Sequence, residues 1–80
     1  MRTSVEISYY PLKEDFVNPI RDFINRINQY KSLTVQTNGM STQIFGNYDD
    51  IMSALTKEIK QSFELPHSVF IIKIINADLF

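Results

Sequence analysis

The 80-residue chain contains no cysteine and no tryptophan. Without cysteine there is no disulfide staple, no thiolate metal site and no cysteine nucleophile. Only two glycines are present, which excludes a glycine-rich phosphate loop. The single histidine, His67, has no second histidine or acidic cluster near it in sequence, so it makes no metal site and reads as the opening of a strand. Ser8 and Ser41 have no histidine partner in any motif, and the expectation is a protein that is not an enzyme and needs no cofactor. Neither sign of charge dominates: eight Lys and Arg stand against nine Asp and Glu, for a net charge of −1. The cations are scattered from Arg2 to Lys73 rather than clustered, which argues against nucleic acid as a partner. Long apolar runs are missing too. The longest, Val69 to Ile75, is broken by Lys73 and falls far short of the roughly 20 residues that cross a bilayer. Met1 to Glu6 has no apolar stretch of the signal-peptide kind. The expected location is the cytoplasm.

What the chain does have is a generous apolar supply: 44% hydrophobic residues, with six Phe and four Tyr. At this length it forms a single domain, residues 1–80, that buries only roughly 60–65% of its unfolded surface. Thr3 to Tyr10 alternates, with Val5, Ile7 and Tyr9 on one side and Ser4, Glu6, Ser8 and Tyr10 on the other, the pattern of a strand buried on one face. From Phe16 to Tyr30 the period changes to three and four: Phe16, Ile20, Phe23, Ile24, Ile27 and Tyr30 mark an amphipathic helix. Asn18 and Pro19 predict a regular start at Pro19. Leu33–Asn38 and Met40–Phe45 are short β-type runs meeting at Asn38-Gly39, a pair suited to the positive φ angles of a type I′ hairpin turn. Gly46 and Asn47 end the second run. Asp49 and Asp50 open a second helix, with Ile51, Met52, Leu55, Ile59 and Phe63 inward and Lys57, Glu58, Lys60 and Gln61 toward water. Leu65-Pro66 breaks it, and Ser68–Asn76 is the last strand.

The order β-α-β-β-α-β predicts an α+β ferredoxin-like sandwich, a four-stranded antiparallel sheet of order 4-1-3-2 with both helices on one face. The other face is then uncovered. On the two central strands it carries Ser4, Glu6, Ser8 and Tyr10 beside Ser41, Gln43 and Phe45. Such a surface is either solvated, as antiparallel sheets commonly are, or a platform for a flat, hydrogen-bonding heterocycle. The last strand is apolar on both sides: Phe70, Ile72 and Ile74 on one, Val69, Ile71 and Ile75 on the other with Lys73. An edge strand of that kind needs a cover, and a second copy of the chain is the simplest. A homodimer or homotetramer is expected.

The residues Ser4-Val5-Glu6-Ile7-Ser8-Tyr9-Tyr10-Pro11-Leu12, then Gly39-Met40-Ser41-Thr42-Gln43-Ile44-Phe45-Gly46, then Tyr48-Asp49-Asp50-Ile51-Met52, resemble the YkoF-like family that binds thiamin or its hydroxymethylpyrimidine moiety. The resemblance runs from about Ser4 to Ile75. It implies a ferredoxin-like, oligomeric, non-enzymatic protein with a role in uptake or handling of the vitamin. Longer family members carry two such domains, whereas this chain holds one. Glu6, Ser8, Tyr10, Ser41, Gln43 and Tyr48 are the candidate ligand-binding residues. The alternative is a structural or regulatory oligomerisation module with no small-molecule ligand. Acylphosphatase and RNA-recognition domains share the topology. This chain lacks the arginine-bearing phosphate loop of the first and the basic, aromatic third strand of the second.

Overall fold

A computed structural model describes residues 1–80. The N-terminal alternation becomes β1 (Arg2–Pro11), and the two helical patterns become α1 (Val17–Ile27) and α2 (Tyr48–Ser62). The other strands are β2 (Thr34–Thr37), β3 (Thr42–Asn47) and β4 (Ser68–Ile75). The sheet runs β2-β3-β1-β4 with every neighbour antiparallel. This is the expected 4-1-3-2 order read from the other edge, and the fold is ferredoxin-like.

The core lies between sheet and helices. Val5, Ile7 and Tyr9 of β1 and Ile44 of β3 meet Phe23 and Ile27 of α1 and Ile51 and Leu55 of α2. Each aliphatic side chain fully withdrawn from water stabilises by about 1.5–3 kcal/mol. Tyr9 is the best fixed of them. Its ring stacks on Phe70 at 4.3 Å between centroids and meets the edge of Phe23 at 5.9 Å. Its hydroxyl shares a 3.0 Å hydrogen bond with Ser68.

Four local features differ from their sequence signals. α1 begins at Val17, not Pro19; Pro19 sits inside the first turn, where its missing N–H costs nothing, and the Asn18 side chain donates to Asp15 instead of capping. At the hairpin tip neither Asn38 nor Gly39 takes a positive φ, so the turn is not type I′. The Asn38 side-chain carbonyl accepts from the N–H groups of Met40 and Ser41, at 2.8 and 3.2 Å, and the Asn38 N–H donates to the Ser41 carbonyl at 3.1 Å to close the turn. Met40, read as part of the strand, stays exposed before β3 begins.

Glu58 is the fourth difference. It was expected to face water and is instead only 4% exposed. Arg26 reaches from α1 to donate to Glu58 Oε1 at 2.7 Å, to the Glu58 carbonyl at 3.2 Å and to Ser62 Oγ at 2.7 Å. Tyr30, just past the end of α1, donates its hydroxyl to Glu58 Oε2. Burial pushes the Glu58 carboxyl up, but these hydrogen bonds and the Arg26 charge outweigh it and hold it below the usual carboxylate range. The same bond pushes the Tyr30 phenol up. The cluster bolts the two helices together.

The register settles the faces of β4. Phe70, Ile72 and Ile74 stand opposite Tyr9, Ile7 and Val5, so that row shares the helix side. Val69, Ile71, Lys73 and Ile75 stand opposite Tyr10, Ser8, Glu6 and Ser4 on the open face. The helices do not reach fully over this edge: Ile72 remains 38% exposed on one side and Ile71 63% on the other. No helix is long and apolar enough to cross a membrane.

Candidate functional site: the open sheet face

Pairing of β1 with β3 puts Glu6 opposite Gln43 and Ser4 opposite Phe45; pairing with β4 puts Glu6 opposite Lys73. A polar row therefore crosses the middle of the sheet. Ser41 donates to Glu6 Oε2 at 2.9 Å and accepts from the Gln43 side chain at 2.8 Å. Lys73 Nζ stands 3.3 Å from Glu6 Oε1. The Ser41 hydroxyl first, then the hydrogen bond and charge of Lys73, hold the Glu6 carboxyl below the usual range. At neutral pH it is an anion with both oxygens engaged, half in solvent.

Two concavities flank this row. One, about 300 Å³, is bordered by Ser4, Glu6, Gln43, Phe45, Lys73 and Leu79. The other, about 270 Å³, lies at the far end of β1 and includes Ser8, Tyr10 and Ser41 on its rim, with Phe16, just before α1, and Ile20 and Ile24 of α1 as an apolar wall. Of the six candidate residues, Glu6, Ser41 and Gln43 are joined by direct hydrogen bonds. Ser8 and Tyr10 stand beside Ser41 on the second cleft. Tyr48 joins neither group. It starts α2 at the opposite end of the sheet, where its N–H donates to the carbonyl of Met1.

The face is less bare than the strand pattern implies. The segment after β4 folds back over one end of it. Ser4 Oγ donates to the Ala77 carbonyl at 2.7 Å and accepts from the Leu79 N–H at 3.0 Å. Phe80 packs on Phe45 with ring centroids 5.3 Å apart. Ser4 is thereby buried and closed to any ligand. Residues 76–80 have no periodicity that would have announced this. Lys73 was the other residue missed, although its place on the strand beside Glu6 follows once the register is fixed. The apolar wall of α1 was visible as a helix stripe, but not its position at a cleft.

Several solved structures share the fold. A Thermotoga maritima protein described as a "putative thiamine biosynthesis/salvage protein" superposes with a TM-score of 0.86 at 18% identity, covering 96% of this chain and 85% of that one. A Streptococcus pneumoniae protein gives 0.89 at 18% identity, covering 99% and 90%. A hypothetical protein of Methanocaldococcus jannascii gives 0.82 at 23% identity, covering 99% and 84%. Among curated proteins none matches. The sequence profile of the YKOF-related family matches residues 2–74. That span takes in both helices and all of the sheet but the last residue of β4, and the chain belongs to the YKOF-related family.

Proposed function

We propose that the chain is a non-enzymatic binding protein for thiamin or its hydroxymethylpyrimidine moiety, serving uptake or handling of the vitamin in the cytoplasm. The observation that carries this reading is the Glu6 carboxylate, held ionised in the middle of an open sheet face by Ser41 and Lys73 with Gln43 beside it. Thiamin joins a neutral aminopyrimidine to a permanently cationic thiazolium ring. Glu6 balances that cation, and the ring face of Tyr10 adds a cation–π attraction of about 0.5–2 kcal/mol. Ser8, Ser41 and Gln43 supply neutral hydrogen bonds. Lys73, its side chain 78% exposed, is free to swing aside when the thiazolium arrives. The thiamine-related description of the Thermotoga maritima protein supports the same ligand class. Calorimetry with thiamin and with hydroxymethylpyrimidine tests it. Ligand at 100 times its dissociation constant stabilises the fold by about 2.7 kcal/mol; neither heat nor thermal shift at millimolar ligand overturns the reading.

The partner proposed is a second copy of the chain, in a homodimer or homotetramer assembled through β4 and the open face. Val69, Ile71 and Ile75 are exposed there together. Removing the exposed half of three such side chains from water in each of two subunits contributes roughly 5–9 kcal/mol gross, against an association cost of about 4–15 kcal/mol. A second subunit laid on this row also shields the Glu6 row from water. The same apolar row favours the rival reading, an oligomerisation module without a ligand. Under it, Ile71→Asp disrupts assembly while no vitamin binds to any form. Sedimentation at micromolar concentration decides the assembly, and a folded monomer overturns it.

A further inference from the structure

Residues 76–80 lie on the open face without belonging to the sheet. β4 ends at Ile75, and no backbone–backbone hydrogen bond ties the segment beyond it to the rest of the molecule. One side-chain hydroxyl does most of the holding: Ser4 Oγ donates to the Ala77 carbonyl and accepts from the Leu79 N–H. The Phe80 N–H only bonds back to Asp78. Asp78 stands 3.7 Å from Arg2 Nε with both side chains half in solvent, a pairing that adds little. Phe80 rests its ring on Phe45 but stays largely exposed, as does Leu79. The segment therefore covers better than it is covered. Phe45 is only 7% exposed although it points to the open face, opposite in sense to its core neighbour Ile44.

The register sets Phe45, Ser4 and Ile75 side by side across β3, β1 and β4. Ile75 is one of the three residues offered to a second copy, and Leu79 borders the same concavity as Ile75 and Glu6. Stacked sheets lie about 10 Å apart, and the side chains of both fill the space between them. A length of backbone laid on the first row occupies that layer. A second copy cannot seat on Ile75 and close over the Glu6 row while the segment is there. Once the segment leaves, Phe45 joins Ile75 as apolar surface to be buried.

We propose that residues 76–80 are an autoinhibitory strap, an occupant from the same chain of the seat that a second copy takes in the assembled protein. The inference rests on the assembly reading above. In the strapped state Phe80 covers Phe45, and Ser4 bonds Ala77 and Leu79. In the unstrapped state the partner covers that row. Only the unstrapped state binds a second copy over the whole face, so the apparent affinity is reduced by the fraction of chains that are unstrapped. Loosening the strap tightens assembly, the reverse of what truncating an interface residue does.

The test is sedimentation of the full chain and of Ser4→Ala, Phe80→Ala and Asp78→Lys, with the Leu79 amide of ¹⁵N-labelled protein followed over the same dilution series. Ser4→Ala removes both anchoring hydrogen bonds and tightens association by about threefold to tenfold. Phe80→Ala, and Asp78→Lys with its like charge against Arg2, act in the same direction and less strongly. In the unsubstituted chain the Leu79 amide signal moves in step with association, as its bond to Ser4 is lost. The amides of Phe23, Ile51 and Leu55 stay in place in every variant, since the core lies on the other face of the sheet. If the unsubstituted chain associates and the variants associate equally or more weakly, the strap is overturned and the assembly reading stands. If the unsubstituted chain stays monomeric while Ser4→Ala and Phe80→Ala associate, the strap stands and the assembly reading falls for the unsubstituted chain. If every form is monomeric, both fall.

Discussion

Two carboxylates in this chain have almost the same partners and opposite surroundings. Glu58 takes an arginine, a tyrosine hydroxyl and a burial of all but 4% of its surface. Glu6 takes a lysine and a serine hydroxyl with 45% of its side chain in solvent. Both are held below the usual carboxylate range. The difference lies in what remains to be done by the charge. Glu58 is fully used inside the protein and acts as a bolt between α1 and α2. Glu6 is ionised, positioned and reachable, which is the condition for engaging something from outside.

The largest expected effect comes from breaking the buried member. Arg26→Met strands the Glu58 carboxylate with Tyr30 as its remaining side-chain partner. Loss of one partner of a buried pair costs roughly 3–5 kcal/mol. Arg26 is 24% exposed, so water moderates the penalty, and we expect about 2–4 kcal/mol by urea unfolding. A loss below about 0.5 kcal/mol, the range of ordinary surface substitutions, would show that the bolt is not structural.

Acid sharpens the same contrast. A carboxyl whose folded pKa is depressed contributes stability above its unfolded value, near the ordinary 4.5, and loses it as pH falls through the folded value. Glu58→Gln therefore flattens the fall in stability below about pH 4.5. Glu6 acts in the same direction, but in solvent, so half-molar salt weakens the Lys73 share of its shift and leaves the share of the Ser41 hydrogen bond. At the alkaline end the sign reverses. The Tyr30 phenol is raised above 10.0, so its contribution is present below that pH and is lost as pH rises through the folded value. Tyr30→Phe removes this alkaline fall, and an unchanged alkaline limb in the variant would separate Tyr30 from the cluster.

The two glycines repeat the comparison of closed and open sites on a smaller scale. A Cβ on Gly46 meets Leu33 Cδ2 at 3.0 Å and the Ser32 carbonyl at 3.4 Å, whereas one on Gly39 meets nothing within 4 Å. Gly46→Ala is expected to cost about 1–2 kcal/mol through crowding. Gly39→Ala stays within about 0.5 kcal/mol, since Gly39 does not use a positive φ. Equal thermal midpoints for the two variants would refute the distinction.

These sites also mark what the sequence carried. Strand order and helix faces were legible because period 2 in Thr3–Tyr10 and the three-and-four spacing of Phe16–Tyr30 repeat over enough residues to leave one reading. Glu6, Ser41 and Gln43 could be gathered onto one face because alternation assigns every second residue. Glu58 could not be placed. Its position on the helix borders the water-facing stripe, and only the crossing of α1 over α2 brings Arg26 and Tyr30 to it. The four-residue spacing of Arg26 with Tyr30, just past the end of α1, and of Glu58 with Ser62 within α2 was the available signal. Ser4 was misjudged for a different reason: residues 76–80 cover it through backbone hydrogen bonds, and backbone groups carry no sequence pattern. The hairpin failed on turn type because Asn-Gly supports two solutions, positive φ or an Asn side chain accepting from the turn, and the second is adopted.

For the exposed member, the expected changes fall on ligand affinity and not on stability. Glu6→Gln keeps the Ser41 hydrogen bond, removes the charge and weakens thiamin by about tenfold, with only a small change in the unfolding midpoint. The smallest effect has the opposite sign. Lys73 and the thiazolium compete for one carboxylate, so Lys73→Met removes a rival cation. An exposed pair of this kind is weak, and the variant should bind thiamin about twofold to fivefold more tightly at low salt. Hydroxymethylpyrimidine, which has no permanent charge, should show no change. In high salt the gain for thiamin should shrink as screening weakens the competition. Weaker thiamin binding by Lys73→Met would mean that the lysine belongs to the site as a donor, and the charge-balance role given to Glu6 would have to be abandoned.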